Sequence, residues 1–173
     1  MLERNQQGAK ELLRILEAQE EKLVFDSFNN EDALKLGIIL TEVTKNTEKP
    51  LSMRVFLDDE IVFQYTMEGD CEKRFGWTKR KYNLIKKTGH SSMHGKVRAL
   101  YLGELKELFE NKDEYGFGCG GFPIIVKGKG IVGAVAVSGL PDPKDHLYVI
   151  EALEKMLNTK VEPIPQEVDE SWF

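Results

Sequence analysis

The stretch Gly116–Asp145, GFGCGGFPIIVKGKGIVGAVAVSGLPDPKD, constrains the fold more than any other part of the chain. Phe122–Val126 is apolar and rich in strand formers, and Ile131–Val137 matches it across Lys127-Gly128-Lys129-Gly130. Two such runs about a short glycine-containing loop predict a β-hairpin. Gly133, Ala134 and Ala136 keep the second strand thin, so that another backbone or a ligand can approach closely. Ser138-Gly139-Leu140-Pro141 then leaves the sheet. Asp142 is a suitable helix N-cap, with Pro143 at the first helical position, where its missing N–H is no loss. Leu147, Val149, Ile150, Leu153, Met156 and Leu157 recur at helical spacing. Hairpin, tight loop and amphipathic helix form one unit that fixes where a site can sit.

The rest of the chain supplies the partners of this unit. Residues 6–22 predict a helix with Ala9, Leu12, Leu13, Ile15 and Leu16 on its apolar side. Leu23-Val24-Phe25 reads as a short strand or a staple. A helix capped by Asn29 or Asn30 runs to about Lys45 and buries Ala33, Leu34, Leu36, Ile39, Leu40 and Val43. Ser52–Leu57 and Ile61–Tyr65 flank Asp58-Asp59-Glu60 as a second hairpin, with Phe56 turned toward a partner or a second layer. A helix opens at Gly69-Asp70 and runs to about Lys87, although Gly76 inside it costs about 1 kcal/mol against alanine. Ser91 or Ser92 caps the next helix, which continues to roughly Asn111. Residues 112–121 form a loop. Trp172-Phe173 ends an extended tail and calls for a docking place on its own body or a neighbour.

Helices and two hairpins in this order predict an α+β domain, with a central antiparallel sheet and helices packed on it. Residues 1–158 read as a single domain and 159–173 as a tail. At 173 residues the chain can bury its own core. Its net charge of −5 argues against a nucleic-acid partner. No apolar run is long enough for membrane insertion. The two cysteines, Cys71 and Cys119, form no zinc or disulfide pattern, which suits a cytoplasmic location.

Four constellations are candidates for chemistry. Arg74, Lys79, Arg80, Lys81, Lys86 and Lys87 cluster around Trp77 in an otherwise acidic chain. They precede His90-Ser91-Ser92, a helix start whose N–H groups favour an anion, so a carboxylate or phosphate could be held there. The alternative is a solvated basic face beside an ordinary serine cap. His90 and His94 stand four apart, but His90 precedes the helix and the pair is not expected to share a face, so metal binding is disfavoured. His146 follows Asp145 in a first helical turn and reads as a surface histidine. The Gly116–Gly121 run precedes a strand rather than opening a helix, which excludes the dinucleotide and P-loop contexts. No base can be assigned to Cys119, and no catalytic set emerges.

Trp77-Thr78-Lys79-Arg80-Lys81-Tyr82-Asn83, Gly89-His90-Ser91-Ser92, Gly120-Gly121-Phe122-Pro123-Ile124, and Val137-Ser138-Gly139-Leu140-Pro141 with Asp145-His146 together resemble the UPF0303 family. That family lies within the haem-degrading-domain-like group, with the HbpS, GlcG and PduO C-terminal proteins. The resemblance spans about residues 25–158. It implies a profilin-like α+β fold, with a central antiparallel sheet of about five strands and helices packed on both faces, assembly into a homo-oligomer (a dimer or a larger ring) and haem as a candidate cofactor. It offers no single axial ligand: His90, His94, His146, Met93 and Cys119 all stay open. The motif positions carried over as a candidate ligand-binding site are Trp77, Arg80, Lys81, His90, Ser91, Ser92, Gly121, Pro123, Ser138, Gly139 and His146.

Two readings follow. In one, the chain binds a small anionic ligand, haem or another carboxylate, between Arg80, Lys81 and the helix starts at Ser91/Ser92 and Asp142, with Phe117, Phe122 and Trp77 as walls. In the other, it is an oligomeric scaffold whose motifs specify assembly. An enzyme using His90 as a general base ranks below both.

Overall fold

The glycine-flanked hairpin forms, and it is the middle of the sheet. In the computed structural model, which describes residues 1–173, Gly121–Val126 (β4) pairs antiparallel with Gly130–Ser138 (β5). Ser52–Leu57 (β2) pairs with β5 and with Glu60–Thr66 (β3). Val24–Phe25 (β1) lies beside β4, giving the order β1-β4-β5-β2-β3. The β1 pairing is parallel, so the five-stranded sheet is mixed rather than wholly antiparallel. β1 reaches only Ile125 and Val126, and this leaves Pro123 at a point of β4 that has no second neighbour.

Alternation along β5 separates two layers. Val135 and Val137 face one side, in a core shared with Leu36 and Leu40 of α2 (Asn30–Val43) and with Val149 and Leu153 of α6 (Lys144–Leu157). Ala134 and Ala136 face the other, against Phe56, Tyr82 and Ile85. Tyr82 and Ile85 belong to α3 (Cys71–Thr88), and the Phe56 and Tyr82 rings stack at 4.3 Å. The thin face of β5 therefore admits a helix. Phe56 meets the second layer that its mixed pattern suggested. Gly133 is required for a different approach: a Cβ there would stand 1.9 Å from the Phe56 carbonyl oxygen.

A third body closes the fold. Leu12 and Leu16 of α1 (Gln6–Lys22) pack on Met93 and Val97 of α4 (Ser92–Leu102), and Ile164, Val168 and Trp172 of the tail join them. Truncating a fully buried leucine here, such as Leu16, costs about 2–5 kcal/mol. The tail thus docks on its own body, with a short 3-10 turn at Glu170–Trp172.

Several expectations are corrected. Helix α4 stops at Leu102, because Gly103 adopts φ +67 and caps it; a separate short helix, α5 (Lys106–Glu110), follows. Helix α6 starts at Lys144 rather than Pro143, and Asp142 does not cap it. The Asp142 carboxylate instead accepts from Cys119 N–H and pairs with Lys96. Leu34 is exposed, not buried. Gly76 does not interrupt α3, which is held at its start by the Asp70 side chain and ended by Gly89 in the left-handed region.

Candidate functional site

Helix α3 divides its cations between the inside and the outside of the protein. Lys81 lies on the same inward side as Tyr82 and Ile85 and is only 2% exposed. Its Nζ donates to the Val137 carbonyl at 2.7 Å and stands 3.5 Å from Asp145 Oδ2. Asp145 also accepts from the N–H groups of Gly139 and Leu140, each at 3.1 Å. Burial raises the Asp145 carboxyl to about 6 against the opposing pull of Lys81. The glycine-rich loop passes directly over this pair. Gly120 has φ +116, and a Cβ there would lie 2.5 Å from the Val137 oxygen and 2.6 Å from Asp145 Cβ. Gly121 N–H donates to Ser92 Oγ at 2.9 Å. Lys81, Ser92, Gly121 and Gly139 therefore meet. Ser138 ends β5 just before them, and Pro123 lies two residues further along β4 from Gly121.

Outward, the Arg80 guanidinium lies over the Trp77 ring at 4.3 Å. Its Nε donates to the Gly76 carbonyl and Nη1 to that of Lys112, and Nη2 makes no hydrogen bond. Arg74 serves Ser52, Thr66 and the Met67 and Glu68 carbonyls, while Lys86 pairs with Asp59. The basic cluster does not converge on one point. Phe117 and Phe122 are buried, so they are not walls of an open site.

The start of α4 already holds an anion, and it is the chain's own. Ser91 Oγ caps the helix by accepting from His94 N–H. Ser91 N–H donates to Glu20 Oε1 at 2.8 Å, and Glu20 Oε2 accepts from His90 Nδ1 at 2.7 Å. His94 Nε2 donates to Glu17 Oε1 at 3.0 Å. The two imidazoles stack at 3.9 Å with 14° between their planes, so they do share a face, contrary to expectation. Each carboxylate fixes a tautomer: the lone pair of His90 sits on Nε2 and that of His94 on Nδ1. The latter is buried and unpartnered. The hydrogen bond from Glu20 raises the His90 pKa, whereas burial lowers that of His94. The His90 side chain is 34% exposed and its Nε2 makes no hydrogen bond.

His146 is fully buried, not on the surface. Its Nε2 donates to Gln19 Oε1 at 3.0 Å, and Gln19 donates onward to the Glu162 carbonyl. Burial takes its pKa down to about 4, which keeps the ring neutral. Burial also drives the Cys119 thiol up, away from a reactive thiolate. No group of three or more His, Cys, Asp or Glu side chains is arranged to hold a metal ion.

Glu17, Gln19 and Glu20 were missed from the sequence, and Gly120 and Asp145, though they stand in the motifs, were not carried into the candidate site. Within α1 a signal existed for Gln19 and Glu20. Gln19 and Glu20 continue the apolar stripe of Ala9, Leu12, Leu13 and Leu16 at helical spacing, and polar residues on a buried stripe need partners.

A family model described as "Haem degrading protein HbpS-like" matches residues 28–154. The chain belongs to the HbpS-like family. Among similar curated proteins is UPF0303 protein SCO2848 of Streptomyces coelicolor, 35% identical over 144 residues, covering 82% of this chain and 91% of that protein. The fold is similar to the crystal structure of the Ybr137w protein, at a TM-score of 0.76 and 24% identity over 84% of this chain and 87% of that one. It is also similar to a PduOC:haem complex, at a TM-score of 0.63 and 11% identity over 79% and 99%. The HbpS-like match begins after α1, so Glu17, Gln19 and Glu20 lie outside it. No helix of the protein is long and apolar enough to cross a membrane.

Proposed function

We propose that this HbpS-like chain is a small-ligand-binding module whose ligand is haem or another small anionic molecule, and that His90 makes the defining contact. One observation carries this reading. His90 gives its Nδ1 proton to Glu20 and keeps Nε2 free on a partly exposed ring. Histidines that bind metals characteristically donate their other N–H to a carboxylate, which orients the ring and raises its basicity. His90, oriented by Glu20, is the residue that would hold the iron of a haem group. Haem, when bound, supplies an iron that takes a nitrogen lone pair. Here Glu20 fixes the tautomer, His94 backs the ring, and Ser91 holds Glu20 in place. The similar PduOC structure, solved with haem, supports the same reading. For a carboxylate-bearing ligand, Arg80 Nη2 is a guanidinium nitrogen with no partner in the chain. Lys81, Ser92, Gly121 and Gly139 form a separate buried framework, in which Ser92 ties Gly121 over the Lys81–Asp145 pair. The two free cysteines suit action in the reducing cytoplasm.

Haemin titration followed in the Soret region tests the proposal. Saturable one-to-one binding with a shifted band, lost in His90→Ala and weakened without a change of band position in Arg80→Ala, is the expected result. Unsaturable binding that ignores His90→Ala would remove haem as the ligand.

A second reading runs beside the first: the protein works as a homo-oligomer. The exposed apolar residues Leu34 and Ile38 favour it.

A further inference from the structure

Helix α2 is apolar on two sides. Leu36 and Leu40 are fully buried beneath it, yet Leu34 and Ile38, one turn apart on its outer side, are each 52% exposed. The outer stripe does not stop at the helix. Toward the sheet edge, Gly37 rests on the Phe63 ring of β3, and Tyr65 on the same strand face is 45% exposed. Toward α6, Ile38 borders a shallow groove of about 470 Å³ lined by Asp32, Lys35, Ile38, Ile39, Lys155 and Met156. A continuous apolar band of this kind on a soluble fold marks a contact surface.

We propose that this band is where a second copy of the chain docks, α2 against α2, antiparallel, about a two-fold axis at Ile38. The inference rests on the homo-oligomer reading above and names its surface. The charges select both the partner and the direction. Glu31 and Lys45 flank the stripe at equal distances from Ile38 along the chain, and both are exposed. An antiparallel crossing sets Glu31 beside the partner's Lys45, and the symmetry makes this contact twice. A parallel crossing would set like charges together and align the helix dipoles unfavourably. A two-fold contact presents one patch to itself, so the Ile38 of each protomer meets the groove beside the Ile38 of the other. Lys45 is now near Glu42 at 3.5 Å, but both side chains are largely in solvent, so that pair is weak and exchangeable. A uniformly acidic or basic foreign partner would match only one end of the stripe.

Molar mass by light scattering across a concentration series tests the proposal. Wild-type protein is expected to be a dimer or an even-numbered assembly. Ile38→Glu, at a position exposed in the folded chain, is expected to halve that mass while circular dichroism stays unchanged. Glu31→Lys and Lys45→Glu should each raise the dissociation constant about tenfold, and the double exchange should restore it. An assembly whose mass is untouched by Ile38→Glu would overturn this surface and leave the oligomer reading standing. A wild-type monomer at every concentration would overturn both. Restoration by the double exchange is the outcome that a merely sticky patch cannot produce.

Discussion

Ser91 and Ser92 are neighbours, yet each serves a different charged centre. Ser92 holds Gly121 over the Lys81–Asp145 pair, while Ser91 donates to Glu20, which holds His90. In the first centre each charged group has its partners inside the protein. Lys81 and Asp145 are both buried, and the N–H groups of Gly139 and Leu140 take up the remaining acceptor capacity. In the second, the hydrogen-bond chain ends on a free nitrogen at a partly exposed ring. A closed centre fixes structure; an open one is available for chemistry.

The largest effect should come from breaking the closed centre. Lys81→Met strands a buried carboxylate, and unfolding by denaturant should show a loss of about 3–5 kcal/mol. Adding Asp145→Asn should recover part of it, since the uncharged amide costs less to bury than the carboxylate and its one oxygen keeps one of the two N–H groups of Gly139 and Leu140. No recovery would mean that the pair is not the source of the loss.

The next effect is a concealed pH dependence. Asp145, raised from 3.8 to about 6, contributes stability that is complete below its unfolded pKa and is lost as pH rises to about 6. His146, lowered from 6.5 to about 4, contributes stability that is complete above 6.5 and is lost as pH falls to about 4. The two slopes oppose each other over nearly the same window, each on the order of 3 kcal/mol in full. In a His146→Asn variant, stability should therefore fall between pH 4 and 6, and in an Asp145→Asn variant it should rise. Parallel behaviour of the two variants would refute this account.

The open centre should respond in ligand binding and not in stability. A proton competes for His90 Nε2, so haemin affinity should drop as pH falls through the raised His90 pKa. Glu20→Gln removes the main cause of that rise, and the drop should move to lower pH. An unmoved profile would show that Glu20 does not tune the ring. The smallest effect is expected at the surface. Arg80→Ala removes a half-exposed stack on Trp77 and should change stability by less than about 1 kcal/mol, with the Soret position unaltered.

The sheet and its helices were legible because they are written locally. The hairpin at Phe122–Val137 carries its own turn, and α1, α2 and α6 carry their own periodicity. The parallel β1 was not, since two residues hold no direction; β4 decides it. The motif residues were legible as a group, but their sides were not. Arg80 and Lys81 are adjacent and alike, and the packing of α3 on the sheet turns Lys81 inward with Thr78 and Ile85, under the glycine loop, and leaves Arg80 outside. His146 looked like a surface residue because its partner, Gln19, is more than a hundred positions away. Long-range partners of this kind leave no trace in spacing.

The docked tail has a consequence at the other end of the chain. Glu162 accepts from Arg14 and Gln19, and Tyr101 donates to the Trp172 carbonyl, so the last residues strap α1 onto α4. Strap and helix both lie outside the residues matched to the HbpS-like family. The matched core supplies His90, His94 and His146, and α1 supplies carboxylates to two of them: Glu20 raises the His90 pKa and Glu17 opposes the fall that burial imposes on His94, while burial alone keeps His146 neutral. Two proteins with this core and different first helices would hold the His90 imidazole at different proton affinities, and a fragment cut at the family boundary would keep His90 and lose the carboxylate that tunes it.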